Sequence, residues 1–276
     1  MKVAAIIVVA LFGGILLYCA AGFPPWADPS SPASTHVSPR YIEETMAETS
    51  VPNMVTAVLA DYRSFDTMFE TIVIFTAGVA CLFLLRLTRR LEPGARLYRH
   101  VHSGMTFRIR KKKYYPQESN TFERIDLEWV PYDIIVHTGC RVIVPISQIF
   151  ALYVIAHGHH SPGGGFQGGV ILGASVILFA VSHNLRRSLS RYTERAATLL
   201  CGMGVILYAG TGLLCMVNGK NFLDYAGLSG LLGVDPITAR SHGILLVEIG
   251  VAMAVMAVIM LIYYNLASAG RHEEGL

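Results

Sequence analysis

Long uncharged hydrophobic runs alternate with shorter polar segments along the whole chain. Six runs approach the ~20 residues that a helix needs to cross a bilayer. They cover residues 3–22, 67–85, 142–157, 168–185, 196–217 and 243–266. Because backbone groups in hydrocarbon must find their hydrogen-bond partners within the chain, we expect each run to be an α-helix. The pattern predicts an all-α, polytopic integral membrane protein with six transmembrane helices.

The composition supports this interpretation. The chain has 276 residues, of which 53% are hydrophobic and 15% are charged, whereas about a quarter of the residues in a soluble domain are charged. The first run follows Lys2 and could be mistaken for a signal peptide. Tyr18, directly before Cys19, is too large for that position of a lipoprotein cleavage site, so we expect a retained first helix.

The basic residues predict the orientation in the membrane. If the segment after the second helix is cytoplasmic, 18 of the 22 lysines and arginines lie on the cytoplasmic side. Cytoplasmic loops carry such an excess, so we expect both termini inside and residues 157–168 at the outer surface. The basic run RIRKKK, residues 108–113, is then juxtamembrane, where contact with anionic lipid is expected rather than binding of nucleic acid.

A polar, basic segment divides the chain into two predicted units. Residues 1–90 form a two-helix unit with an outer loop at 23–66, residues 91–133 form a cytoplasmic linker, and residues 134–276 form a four-helix unit. The five cysteines are scattered in or beside the helices without a C-x-x-C pair, so no iron–sulfur or zinc site is expected. We expect no cofactor in this chain.

The stretch HGHHSPGGGFQGG joins the third and fourth runs. It matches G-x-G-x-x-G, but no strand precedes it and no acid follows about twenty residues later, which rejects a dinucleotide loop. Proline and glycine allow a sharp return between helices, and glycines four residues apart share a helix face that lets a second helix approach closely. The predicted turn residues are Pro162, Gly163 and Gly164, and the predicted face residues are Gly165, Gly169 and Gly173.

Three histidines, His157, His159 and His160, precede this turn. Three imidazoles could bind zinc or copper, but no Asp, Glu or Cys in the stretch completes a site, and we predict no metal there. Hydrogen bonds to turn carbonyls or water are the commoner role. Because histidine titrates near neutral pH, proton handling remains open, and His157 and His159 are kept as candidates for an ion path.

The second helix opens with charged residues on one face. Arg63, Asp66 and Glu70 follow one another at i, i+3 and i+7. Arg63 can compensate for the repulsion between the two carboxylates, or one acid can hold a proton. The group is either a solvated helix entrance or an outer vestibule for a cation. Upstream, Asn53 is a candidate helix cap.

Glu248 is the most conspicuous single residue because it lies within an uncharged run, SHGILLVEIGVAMAVMAVIMLIYY. It follows Gly243 by five residues, which places it roughly 8 Å into the membrane. A carboxylate at depth usually faces a cavity or a partner, so it either serves an ion path or makes a structural hydrogen bond. Gln148, beside Pro145, adds a polar group to the third helix. No nucleophile–base set emerges, and we do not expect the isolated chain to be an enzyme.

Several of these motifs resemble known families. IFALYVIAHGHHSPGGGFQGGVILGAS and SHGILLVEIGVAMAV, within residues 134–268, closely resemble the B subunit of multisubunit Mrp (Mnh) sodium/proton antiporters. PNMVTAVLADYRSFDTMFETIVIFTAG, within residues 1–90, resembles the small E-type subunit of membrane-bound hydrogenases, a unit also found at the C-terminal end of the large Mrp A subunit. Ser64 stands where that unit often has glycine. The chain looks like a fusion of the two units.

The resemblance implies a non-redox membrane subunit of a larger ion-translocating complex in a prokaryotic cell (inner) membrane. The partners would be large antiporter-like subunits and small C-, E-, F- and G-type Mrp subunits, with hydrogenase-like peripheral subunits as an alternative. Asp66 and Glu70 match the acids of the DxxxE motif in the E-type unit. Glu248 matches the acid of the HGxxLxE motif in the B-type subunit. His157, His159 and the PGGGF glycines match the B-type turn.

Two hypotheses from different classes follow. In the first, sodium or protons pass where the two units and their partners meet: Asp66 and Glu70 gather the cation outside, and Glu248 binds or relays it. In the second, the chain is a structural subunit that docks modules through its glycine faces. The sequence separates neither sodium from protons nor a gradient-driven complex from a redox-driven one.

Overall fold

The computed structural model describes residues 2–87, 96–100, 102–103, 105–109, 121–124, 134–183 and 185–268. Six of its helices are long and apolar enough to cross a membrane, which confirms the predicted helical, polytopic fold. The α-helices are α1 (Lys2–Ala20), α2 (Ser38–Glu43), α3 (Thr45–Thr49), α4 (Met54–Ala57), α5 (Ser64–Leu87), α6 (Ile134–Ala156), α7 (Gly165–His183), α8 (Leu185–Arg191), α9 (Glu194–Val217), α10 (Ser229–Leu232) and α11 (Pro236–Ala267). The membrane-spanning helices are α1, α5, α6, α7, α9 and α11.

Three short strands lie in the segment that the sequence predicted only as a basic linker. They are β1 (Arg96–His100), β2 (Thr106–Ile109) and β3 (Phe122–Arg124), and they form an antiparallel sheet in the order β2-β1-β3. Only β2 alternates polar and apolar residues, and strands of three to five residues give a weak pattern within a polar segment. Residues 110–113, most of the basic run expected to contact anionic lipid, lie outside the described residues.

Two spanning helices begin two turns before their uncharged runs. Helix α6 starts at Ile134 instead of residue 142, and α11 starts at Pro236 instead of residue 243. The side chain of Asp235 caps α11 by accepting from the backbone N–H groups of Ile237 and Thr238, and Pro236 occupies the first turn. Charged residues excluded from the hydrophobic runs are thus part of the helices near their ends.

Helix α11 lies at the centre of the bundle. Of the most apolar stretch of α11, 67% is buried within the chain, whereas 0% of the corresponding stretch of α1 is buried. Small residues let neighbouring helices approach it closely: a Cβ on Gly169 of α7 would lie 2.8 Å from the carbonyl oxygen of Ala252. On α9, a Cβ on Gly204 would lie 2.4 Å from the carbonyl oxygen of Gly250. The α7 glycine face therefore packs against α11 of the same chain.

The short helices before α5 gather at one end of the bundle. We call this the turn end, because it holds residues 157–164, which connect α6 to α7. The segment between α9 and α11 also lies there, since the Tyr225 hydroxyl donates to the carbonyl of Ala60 at 2.9 Å. The two predicted units are thus packed against each other at the turn end.

Candidate functional site

The α6–α7 turn requires glycine at one position. Gly164 has φ +128°, a backbone conformation that residues with a Cβ rarely adopt. Its N–H donates to the carbonyl of Val154 at 3.2 Å, which closes the turn onto the end of α6. The turn is compact, and Gly158, His159 and Gly164 are buried in it.

The carboxylate of Glu248 points from α11 into this turn. A Cβ on Gly158 would lie 3.0 Å from its Oε2, and a Cβ on Gly164 would lie 2.8 Å from its Oε1. The backbone N–H of Gly165, at the start of α7, donates to the carboxylate. Since the N-terminus of a helix favours negative charge, α7 helps to stabilise an ionised Glu248. The glycines leave room for a carboxylate that is only 8% exposed.

One oxygen of this carboxylate has no hydrogen-bond partner among the described residues. Oε2 of Glu248 is buried and makes no hydrogen bond within the described part of the chain. Buried polar atoms are nearly always hydrogen-bonded, and an ionised carboxylate within a membrane span is costly. A proton or a small cation on Oε2 would satisfy it, so this position is chemically suited to bind either one reversibly.

Residues of the first unit hold the turn from the outside. The side-chain amide of Asn53 donates to the carbonyls of Gly158 and Ser161, at 2.8 and 2.7 Å, and its backbone N–H donates to the carbonyl of His159 at 2.9 Å. The Thr56 hydroxyl also donates to the carbonyl of Gly158, at 2.8 Å. The predicted cap role of Asn53 is confirmed, because its side chain accepts from the N–H of Val55.

A buried ion pair joins the two units near the same end. Oδ2 of Asp61 lies 2.8 Å from both Nε and Nη2 of Arg240, which is on the first turns of α11. The side chain of Asp61 is 4% exposed, and that of Arg240 is 26% exposed. Burial raises the pKa of Asp61 to about 6, although the charge of Arg240 opposes this shift.

Two buried tyrosines, Tyr208 and Tyr225, lie between the ion pair and the acids Glu70 and Glu248. The hydroxyls of Tyr225 and Tyr208 lie near each other, and each donates its proton to a backbone carbonyl of the first unit, Tyr225 to Ala60 at 2.9 Å and Tyr208 to Ser64 at 2.8 Å. Tyr208 lies close enough to both Glu70 and Glu248 to interact with their charges. The Tyr208 hydroxyl therefore lies in a polar region that contains an acid from each unit.

The predicted acidic face at the start of α5 is present. Arg63 contacts Asp66 through Nε at 2.6 Å and through Nη2 at 2.5 Å, so it compensates one of the two carboxylates. Asp66 and Glu70 are both exposed. Glu70 forms no ion pair with any residue that the structure describes.

The histidines of the turn have different environments. His159 is buried and bonds through Nε2 to the carbonyl of Ser241, 2.9 Å away, while burial lowers its pKa. His157 stacks on Tyr153 with 4.9 Å between ring centroids, and His160 is exposed. Among the described residues, no three His, Cys, Asp or Glu side chains converge as metal ligands.

Gln148 is directed elsewhere in the bundle. Its Nε2 donates to the Tyr192 hydroxyl, 3.2 Å away, beside the start of α9. Helix α6 packs mainly against α7, and its contact with α11 is much smaller. The structure thus brings Asp66, Glu70, His159 and Glu248 to the turn end, and it gives Gln148 a partner away from Glu248.

Sequence reasoning missed the residues that connect the two units. They are Asp61, Tyr208, Tyr225 and Arg240. Each occurs in a segment whose hydrophobic pattern is ordinary for a helix or loop. The available signal was the pairing of one acid before α5 with one arginine before the last hydrophobic run, but their distance in sequence gave no reason to join them.

Comparison with known families matches both units. Residues 135–261 match the family described as "Domain related to MnhB subunit of Na+/H+ antiporter", and residues 5–100 match MbhE, the family of the E-type MBH subunit. A protein described as antiporter subunit mnhB2 from Staphylococcus haemolyticus (strain JCSC1435) is 32% identical over 130 residues, which are 45% of this chain and 92% of the relative. The corresponding protein of Staphylococcus aureus (strain Newman) is 31% identical over 141 residues, which are 50% of this chain and 96% of that relative.

Two solved structures share the fold. One is the Mrp complex from Dietzia sp. DQ12-45-1b, with a TM-score of 0.57 and 24% identity over 99% of this chain. This chain spans only 26% of the matched chain in that complex. The other is the membrane-bound sulfane sulfur reductase, an archaeal respiratory membrane complex, with a TM-score of 0.54 and 23% identity. There the match covers 94% of this chain and 97% of the other.

Proposed function

Because the chain belongs to the family of MnhB-related antiporter subunits, we propose that it is a non-redox membrane subunit of a multisubunit cation/proton-translocating complex of the Mrp type. Its work in that complex is transport rather than catalysis. The partners are large antiporter-like subunits and small Mrp-type subunits in a prokaryotic inner membrane. The excess of basic residues on one side supports an orientation with the turn end outside and the basic segment in the cytoplasm.

The proposed ion path passes between the two units at the turn end. Asp66 and Glu70 are exposed there and attract the cation, with Arg63 compensating Asp66. Glu248 receives a proton or sodium ion on its unpartnered oxygen, and Tyr208 lies near the acids of both units. His159 and the glycines position the turn around the carboxylate, whereas Gln148 and His157 have no described contact with it.

The single observation that carries this proposal is the environment of Glu248. Its carboxylate is buried inside a membrane-spanning helix, is stabilised from one side by the start of α7, and keeps one oxygen without a partner among the described residues. A purely structural glutamate would have both oxygens hydrogen-bonded. A site that exchanges an ion needs a carboxylate oxygen that no other protein group occupies, because binding must be reversible.

The test is Glu248→Gln in the intact complex, reconstituted in vesicles, with sodium-dependent proton movement as the readout. Glutamine keeps the size of the side chain but cannot exchange a proton or hold a charge. We expect transport to fall about tenfold or more, with all subunits still present after purification. The matched control is Glu43→Gln, an exposed acid of α2, which should retain transport. Unchanged transport in Glu248→Gln would remove Glu248 from the mechanism.

A second candidate is the same module as the ion-translocating arm of a respiratory, hydrogenase-like complex. The chain architecture supports it: a subunit of the archaeal respiratory complex shares the fold over 97% of its length, whereas this chain spans only 26% of the matched Mrp chain. In that setting a redox reaction in peripheral subunits would drive the ion movement, and this chain would again hold only the ion path.

The remaining alternative is a docking subunit without an ion-path role. It predicts that Gly169→Leu disrupts assembly while changes of acids to amides have little effect. The contact of Gly169 with Ala252 counts against docking through this face, because α11 of the same chain already covers it. Since Gly169→Leu would also disturb the packing of α7 on α11 within the chain, transport by the acid-to-amide variants is the measurement that separates the two hypotheses.

A further inference from the structure

Two histidines meet at the end of the bundle opposite the turn end. His137, near the start of α6, and His183, the last residue of α7, have ring centroids 4.0 Å apart. Nδ1 of His137 lies 3.3 Å from the carbonyl of Ser182, and Nδ1 of His183 lies 2.8 Å from the hydroxyl of Ser182. Both rings are therefore fixed through Nδ1, and Nε2 of His183 is left for a ligand.

Three arginines surround this pair. Arg141, Arg187 and Arg191 are each close enough to His183 to interact with its charge. Arg191 also lies over the ring of Phe179, with its guanidinium carbon 5.6 Å from the centroid. The three arginine side chains are exposed, and none forms an ion pair with a residue that the structure describes. The cluster thus concentrates positive charge without a described counterion.

The described acid closest to Arg191 in sequence does not neutralise the cluster. Glu194 begins α9, three residues after Arg191, but it forms no ion pair with Arg141, Arg187 or Arg191. Arg141 lies within the spanning helix α6, where an uncompensated charge is costly. Arg141 on α6 and Arg191 over Phe179 of α7 therefore lie where an anion can reach them at the level of the helix ends.

We propose that this cluster binds the phosphate group of an anionic phospholipid. Guanidinium groups bind phosphate oxygens through paired hydrogen bonds, and basic pockets between helix ends bind anionic headgroups. Exposed Val142 and Ile146 follow Arg141 on α6, on its bilayer side, and offer an apolar surface for the acyl chains. The site lies outside the basic run of residues 108–113, and it does not depend on the proposed ion path.

The test uses the purified full-length chain after removal of bound lipid, with native mass spectrometry as the readout. Phosphatidylglycerol is compared with phosphatidylcholine at equal concentration, and inorganic phosphate is the second arm. The wild type should bind phosphatidylglycerol about tenfold more tightly than phosphatidylcholine. Arg141→Gln/Arg191→Gln should reduce this preference to about twofold or less, whereas Arg195→Gln, a loss of charge at the same end of the bundle, should retain it.

The following outcomes would refute the proposed lipid site. An equal loss of preference in Arg195→Gln would mean that general positive charge attracts the lipid, and it would refute a specific site. Displacement of phosphatidylglycerol by inorganic phosphate at equal concentration would refute a lipid as the occupant. If the double variant does not fold, Arg141→Lys replaces it: lysine keeps the charge but loses the paired hydrogen bonds, and an unchanged preference would refute guanidinium recognition.

Discussion

Asp61 and Arg240, 179 residues apart in the sequence, form the ion pair that ties the segment before α5 to the start of α11. A single carboxylate oxygen of Asp61 accepts from both Nε and Nη2 of the guanidinium, at 2.8 Å each. The pair is buried where the two units meet. The ion pair therefore adds to the hydrophobic and hydrogen-bonded contacts that hold the first unit against the second.

Removing only the arginine should be strongly destabilising. Arg240→Gln leaves the Asp61 carboxylate buried without its partner, and we expect it to lower the free energy of unfolding by about 3 kcal/mol. The double variant Asp61→Asn/Arg240→Gln should recover a large part of this loss, because no charge remains buried. Thermal unfolding of the purified chain in detergent measures these two variants and the single variant Asp61→Asn. A double variant as unstable as the sum of the single ones would show that the two side chains are not coupled.

The same pair predicts a pH dependence. The pKa of Asp61 is raised from 3.8 to about 6, mainly by burial, so between these pH values the folded chain binds the proton more tightly than the unfolded chain. The contribution of Asp61 to stability is therefore present below about pH 4 and is lost as the pH rises through about 6, by about 3 kcal/mol in total.

Asp61→Asn isolates this contribution, because asparagine does not titrate. The free energy of unfolding of the wild type, minus that of Asp61→Asn, should decrease from about pH 4 to about pH 7 in parallel denaturation experiments. A difference that is constant over this range would mean that Asp61 keeps its ordinary pKa in the folded chain.

Asn53 offers a test of how the first unit holds the turn. Asn53→Ala removes two hydrogen bonds to the carbonyls of Gly158 and Ser161 and one helix cap. We expect a loss of about 2 kcal/mol in the free energy of unfolding, measured by thermal unfolding. The control is Asn221→Ala, because Asn221 is exposed and its side chain makes no hydrogen bond to a described residue. If both variants are equally stable, the Asn53 side chain does not stabilise the turn.

The Tyr208 hydroxyl is expected to matter for transport. Tyr208→Phe keeps the ring but removes a hydroxyl that lies near Glu70 and Glu248, and we expect transport to fall roughly tenfold in reconstituted complex. The control is Tyr264→Phe, a tyrosine of equal burial whose hydroxyl bonds Ser188. If both variants transport equally well, Tyr208 serves only to pack α9 against α5.

Local patterns were sufficient to predict the helices and two features of the site. An uncharged run of membrane length has few alternatives to a helix, and Glu248 is conspicuous because such a run contains it. The spacing of Gly165, Gly169 and Gly173 identified a face that the structure places against α11. These inferences need only residues that are close in sequence.

The long-range partners could not be predicted in this way. Asn53 was recognisable as a cap, but its bonds to a turn more than 100 residues away depend on how the two units pack. Gln148 is polar enough for an ion path, yet the packing of α6 on α7 directs it to Tyr192. The strands of the basic segment are three to five residues long, and only β2 alternates polar and apolar residues, so the sequence pattern there is weak.

The most direct test of the proposed role is to purify the tagged full-length chain from its native membrane in mild detergent and identify the proteins that accompany it. We expect stoichiometric amounts of large antiporter-like subunits, because the chain has only part of an ion-translocating module. Iron–sulfur or nickel-binding subunits in the same preparation would indicate the redox-driven complex, and their absence would indicate the gradient-driven antiporter. A chain that purifies alone and still exchanges sodium for protons in vesicles would show that it does not act as part of a larger complex.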